Sequence, residues 1–169
     1  MKERIVSTDI WNILLQIALE KKFKVFFWGG GLSEDKAVMK IKNIIPKLNI
    51  CGVLSGEKSL TITNIEIINK SKPDILFFGL GTPQQEILLN KYRDLLKIPL
   101  CITVGSYIDF LSGYKKRAPA GFQRLGLEWL FRVFQEPRRL WRRYLLGIPF
   151  FIYKISKDKF KLIFNKDIA

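Results

Sequence analysis

Histidine is absent from all 169 residues. That removes the usual general base at neutral pH and every histidine-containing zinc pattern. Cysteine is nearly absent as well. Cys51 and Cys101 each lie in an apolar run, which predicts reduced, buried thiols rather than a disulfide or a metal site. Long apolar runs are missing, and none approaches the roughly 20 residues of a membrane span. The longest near the end, Leu145 to Tyr153, is interrupted by Gly147 and Pro149. The opening residues, MKERIVSTDI, contain no apolar segment of a secretory leader. Acids are scarce: 15 Asp and Glu face 29 Lys and Arg, a formal net charge of +14. From Lys115 onward there are 14 basic residues and 4 acidic ones, so +10 of that charge sits in the last third. A basic end on a near-neutral body predicts an anionic partner: nucleic acid, phosphate or acidic lipid. No RNA- or DNA-binding motif is recognisable, which argues against nucleic acid.

The 48% hydrophobic content excludes a disordered chain and suffices for one α/β core. The most informative stretch is Pro73 to Glu86, PDILFFGLGTPQQE. Ile75 to Phe78 reads as a strand buried on both faces. Gly79 and Gly81 then allow a tight turn. Thr82 as N-cap, Pro83 at the first helical position and Gln85 as the far half of a capping box predict a helix start. Strand, glycine turn and helix N-terminus form the geometry that receives phosphate in α/β proteins.

The same alternation extends along the chain. A helix follows Ser7 to Asp9, with Ile10, Ile13, Leu14, Ile17 and Ala18 at helical spacing. A strand over Phe23 to Trp28 runs into Gly29-Gly30-Gly31. Ser33 caps a helix bearing Ala37, Ile41, Ile44 and Ile45. Further strands are expected over Leu48 to Val53 and Pro99 to Val104, the last ending at Gly105, with a turn at Asp109 to Gly113. Strands alternating with helices predict a Rossmann-like α/β fold: a parallel sheet with flanking helices, bearing ligands at the strand C-terminal edge. Residues 1–120 form this domain, and residues 121–169 form a basic amphipathic helical appendage suited to an anionic membrane surface. In it, one helix over Gly121 to Phe134 carries Phe122, Leu125, Trp129, Leu130 and Val133, and Pro137 restarts a helix with Arg138, Arg139, Arg142 and Arg143.

Several pieces recur together. They are Glu3-Arg4 with Asp9; Phe27 to Gly31; Pro73 to Leu76; Gly79-Leu80-Gly81-Thr82-Pro83-Gln84-Gln85-Glu86; Gly105 with Asp109-Phe110 and Gly113; Lys116-Arg117-Ala118-Pro119; Gln123 to Trp129; and Gln135-Glu136-Pro137-Arg138-Arg139. On these residues the chain resembles the WecG/TagA/CpsF family of bacterial glycosyltransferases. The resemblance implies transfer of a sugar from a UDP-sugar to a polyprenyl-diphosphate-linked acceptor, with inversion and without metal or cofactor. It implies a place in cell-surface polysaccharide or teichoic acid synthesis, peripheral on the cytoplasmic face of the membrane. The chain has no D-x-D pair to hold a divalent ion. Arginine is the fitting counter-charge for the leaving diphosphate. Arg132, Arg139 and Arg142 match the family's C-terminal arginines in that role.

The same resemblance assigns the donor pocket to Arg4, Gly29, Gly30, Gly79, Gly81, Pro83, Gln85, Gly105 and Asp109. Alternatives stand beside these roles. Gln85 either meets the ligand or caps its own helix. Arg4 is either a donor contact or a solvated arginine. Asp109 binds a ribose or substrate hydroxyl, or caps the following turn. Asp74 and Glu86 are the acids expected near the strand edge. Family members also carry an N-terminal region holding the aspartate proposed as general base, which has no counterpart upstream of Glu3. The expectation is therefore a transferase weak on its own, needing self-association or a companion N-terminal polypeptide. The alternative is a non-catalytic, membrane-associated remnant or partner subunit.

Overall fold

The computed structural model of the protein describes residues 7–56 and 61–164. The chain divides into two compact units, with the boundary between Lys116 and Arg117.

Four short parallel strands form the first unit's sheet: β1 Val25–Gly29, β2 Ile50–Leu54, β3 Ile75–Gly79 and β4 Leu100–Thr103, in the order β2-β1-β3-β4. The two central strands, VFFWG and ILFFG, are buried at every position. Both read as unbroken apolar runs because helices cover both faces of the sheet. Val25 and Phe27 of β1, with Ile75 and Phe77 of β3, point into one core. Phe26 and Trp28, with Leu76 and Phe78, point into the other, as the two-residue side-chain period of a strand requires. Phe27 stacks on Phe77 at 5.3 Å between ring centroids, and Trp28 meets Phe78 edge-on at 4.9 Å.

The first core is closed by α1 Ser7–Glu20, α2 Glu34–Ile44 and α5 Tyr107–Leu111, the second by α3 Ile62–Ser71 and α4 Gln84–Tyr92. Helical spacing identified the helices but not always the buried face. On α1, Leu15 and Ala18 are buried with Trp11 and Leu14 packed beside them, while Ile10, Ile13 and Ile17 are exposed. Similarly, Ile41 and Ala37 of α2 are buried and Ile44 is exposed. Apolar residues one turn apart line both sides of α1, so periodicity alone did not decide which side packs. The expected turn at Asp109 to Gly113 is mostly helix: α5 includes Asp109, Ser112 N–H donates to the Ile108 carbonyl at 2.9 Å, and Gly113 at φ 67 ends the run.

The second unit is helical: α6 Ala120–Arg124, α7 Glu128–Gln135, α8 Pro137–Trp141, a π-helical segment Arg142–Leu146 and α9 Gly147–Phe164. The single helix expected over Gly121 to Phe134 is instead two, broken at Gly126 with φ 71. Phe122 and Phe131 bridge the break at 5.8 Å between ring centroids, and Trp129 packs on Tyr144 at 5.5 Å. Leu125, counted on the apolar stripe, is exposed. Along α9, Phe150, Phe151, Ile152 and Tyr153 are all exposed. Among the described residues no helix is long and apolar enough to cross a membrane.

Candidate functional site

The strand order makes β1 and β3 neighbours from which the chain leaves in opposite directions: β1 connects onward to β2 on one side, β3 to β4 on the other. A crevice at the C-terminal ends of such a pair is where open α/β sheets receive ligands. Gly29 and Gly79 are direct partners across that end. A Cβ at Gly29 would run into the backbone of Gly79, and one at Gly79 would meet the Gly105 carbonyl oxygen at 2.5 Å. Gly56 N–H donates to the Gly30 carbonyl at 3.1 Å, bringing the end of β2 into the same cluster. The glycine turns after β1, β3 and β4 therefore gather at one edge because their backbones touch. Gly81 also lies there in sequence, at φ 83, with no other atom where its Cβ would stand.

Gln85 is buried at the start of α4. Its Oε1 accepts the Gly105 N–H at 3.1 Å. Its Nε2 donates to Glu86 Oε1 at 2.6 Å and to Thr82 Oγ1 at 3.4 Å. The expected capping box does not form: Pro83, not Thr82, occupies the N-cap position, no side chain caps the helix, and the Gln85 amide is turned toward β4. Binding Gly105 satisfies a partly buried N–H that a local cap would have left without Gln85. Thr82 Oγ1 also donates to Glu86 Oε1 at 3.1 Å. The Gln85 amide first, then the backbone N–H of Glu86 and the Thr82 hydroxyl, hold the Glu86 carboxyl below its ordinary range.

Asp109 is buried in α5 behind the β1 turn. Its Oδ1 accepts the Gly31 N–H at 2.9 Å, and its Oδ2 lies 2.8 Å from Lys115 Nζ. A tie across 78 residues replaces the local turn cap considered for it. At the end of β2, Ser55 N–H donates to Glu34 Oε1 of α2 at 3.4 Å. Lys115, Glu34 and Gly56 were not singled out from sequence. A lysine beside the Lys-Arg-Ala-Pro motif reads as one more solvated charge until the fold brings Asp109 to it.

Asp74 is elsewhere. It precedes β3, and its Oδ2 accepts the Lys24 N–H at 2.7 Å at the N-terminal end of the sheet. Five strand residues at about 3.3 Å each separate it from Gly79, roughly 16 Å. The expectation that it stands near the ligand edge is thus corrected: an acid before a strand and a glycine after it lie at opposite ends. Among the described residues no three His, Cys, Asp or Glu side chains gather to hold a metal ion. A groove of about 530 Å³ runs between α4 and the open edge of β4, lined by Glu86, Leu89, Arg93, Ile98, Cys101 and Thr103.

Of the remaining candidates, Arg4 lies outside the described residues. Arg132 is exposed in α7, and Arg142 opens the π-helical segment with its guanidinium 5.4 Å from the Trp141 ring centroid. Arg139 belongs to α8, and its side chain lies outside the described residues. These three arginines are in the second unit, the glycine cluster in the first.

The glycosyl transferase WecG/TagA/CpsF family model matches residues 1–164. The chain is 34% identical over 160 residues to an N-acetylglucosaminyldiphosphoundecaprenol N-acetyl-beta-D-mannosaminyltransferase of Bacillus spizizenii, covering 94% of this chain and 62% of that relative. It is 33% identical to the enzyme of the same name in Bacillus subtilis, with the same coverage. For the Staphylococcus aureus enzyme the identity is 30% over 166 residues, covering 96% of this chain and 63% of the relative. The chain thus spans less than two thirds of the length of these relatives. A match running through the glycine cluster and on to α9 shows that the chain belongs to the WecG/TagA/CpsF family of glycosyltransferases.

Proposed function

We propose that the chain forms the nucleotide-sugar-binding part of a transferase that moves a sugar from a UDP-sugar onto a polyprenyl-diphosphate-linked acceptor. The observation that carries this reading is the meeting of the Gly29, Gly79 and Gly105 turns at one end of the β1–β3 pair. Such turns bring backbone close to a diphosphate, and α4 begins beside them. The relatives' shared name describes transfer of N-acetylmannosamine to a diphosphoundecaprenol-linked N-acetylglucosamine, and an acceptor and donor of that class are proposed here. The acceptor hydroxyl attacks the anomeric carbon with inversion as UDP leaves. Arg132, Arg139 and Arg142 neutralise the diphosphate without a metal.

The proton of the attacking hydroxyl needs a base. Asp74 is at the far end of the sheet, Asp109 is engaged at both oxygens, and Glu86 is held below its ordinary range. A carboxylate with a lowered pKa is a poor base. Turnover by this chain alone is proposed to be weak, so that UDP binding separates from catalysis. A companion polypeptide or a longer chain supplies the base. At the membrane, the exposed aromatic residues of α9 and the surrounding lysines bind the anionic inner face, each Lys or Arg contributing on the order of 1 kcal/mol.

Titration calorimetry with UDP tests the site. Wild type binds, and Gln85→Ala, which releases Gly105, raises Kd about tenfold, the equivalent of one lost hydrogen bond. Absence of UDP binding by the wild type would overturn the assignment. Flotation with liposomes containing anionic lipid tests the surface: binding weakens with salt and is lost on truncation after Gly147. Salt-independent binding to neutral lipid would refute the electrostatic attachment.

A further inference from the structure

We infer that Lys115 is a positioning residue for the donor pocket, acting through Asp109 on the backbone of the β1 turn. The inference rests on the reading of this edge as the nucleotide-sugar site. Lys115 is fixed to Asp109 twice. Its N–H donates to the Asp109 carbonyl at 3.0 Å, and its Nζ lies 2.8 Å from Oδ2. The other carboxylate oxygen carries the Gly31 N–H. One oxygen thus faces the cation and the other faces the turn. Asp109 is only 7% exposed, and a carboxylate that deep in the protein is costly unless it is paired and hydrogen-bonded.

The turn has little freedom to adjust on its own. The space a side chain would take at Gly30 is bounded by Ile108 and by Asp109 Oδ1, and at Gly31 by the ring of Tyr114. Residues 114 and 115 therefore hold the turn from two directions, Tyr114 by its ring and Lys115 by its charge through Asp109. The Asp109 carboxylate thus acts on a bound nucleotide through the Gly29–Gly31 backbone that it holds.

The test compares Lys115→Met, which keeps the aliphatic stem and removes the charge, with Lys115→Arg, which restores it. The full chain is labelled with ¹⁵N, and two quantities are read: the Gly31 amide resonance and Kd for UDP. Lys115→Met is expected to shift the Gly31 amide and raise Kd about tenfold, and Lys115→Arg to return both close to wild type. A role in packing alone would leave methionine neutral. If Lys115→Met leaves the Gly31 amide and Kd unchanged, or Lys115→Arg fails to restore them, the inference is wrong. Should the wild type bind no UDP, the reading of the pocket falls, and the clamp is then judged on the Gly31 amide alone by the same criteria. If the methionine variant does not fold, by far-UV circular dichroism, Lys115→Gln replaces it under the same criteria.

Discussion

Replacing Gly29 by alanine should be far more damaging than replacing Gly81, although both have positive φ. Gly29 sits at φ 135 and Gly81 at φ 83. Holding a residue with a Cβ in such a conformation costs about 1–3 kcal/mol at either site. The surroundings differ. The new methyl at Gly29 would meet the Cα, carbonyl carbon and oxygen of Gly79, all backbone, whereas at Gly81 it meets nothing. Relief at Gly29 requires β1 and β3 to part at their paired ends, an overpacking cost of about 1–3 kcal/mol. Gly29→Ala therefore totals roughly 2–6 kcal/mol, against about 5–15 kcal/mol for a whole domain. Urea unfolding followed by far-UV circular dichroism measures the difference. With a slope of about 1–3 kcal/mol per molar, the Gly29→Ala midpoint should fall about 1 M below that of Gly81→Ala. Equal midpoints would mean that β1 and β3 do not press on each other there, and the packed glycine cluster would be refuted with them.

Gln85→Leu should destabilise the first unit by about 1–3 kcal/mol, because the Gly105 N–H loses its acceptor inside a tight turn; equal urea midpoints for wild type and variant would show the bond to be dispensable. Glu86 should titrate below the ordinary carboxylate range, and Gln85→Ala should bring it back up, both read from its side-chain ¹³C resonance. The sign follows from the lowered value: the tie adds stability above the unfolded pKa and gives it up as pH falls through the folded one. Burial pushes the Cys51 and Cys101 thiols up, so alkylation by iodoacetamide should be slow at pH 7.5 and still accelerating above pH 9; rapid labelling at neutral pH would contradict the partial burial of both.

Element order was legible because β1 and β3 are apolar runs too short for helices, each closed by glycine. The neighbour relations were not. Nothing local in VFFWG or ILFFG says that they pair with each other rather than with β2 or β4; that choice comes from crossovers spanning tens of residues. The packed face of α1 was not legible for a related reason, since Ile10, Ile13 and Ile17 are as apolar as the Trp11, Leu14 and Leu15 that pack. The split at Gly126 was visible as a glycine but not as a break, because a single glycine inside a helical pattern is often tolerated.

The candidate site poses a sharper problem, and it concerns what a motif records. Three strand ends are each held by a side chain from the start of a helix or from a short helix: Ser55 by Glu34, Gly31 by Asp109 and Gly105 by Gln85. In every case a side-chain oxygen accepts a backbone N–H just beyond the end of a strand. A residue that holds a turn in this way and one that touches a ligand leave the same trace in the sequence, a polar residue at fixed distance from glycines. Gln85 uses both ends of its amide inside the protein, and Asp109 uses both carboxylate oxygens. If the proposed donor site is right, recognition there falls mainly to the backbone these side chains shape. Lys115, a cation that the fold draws into the cluster, lies 2.8 Å from Asp109, so its charge is met within the protein.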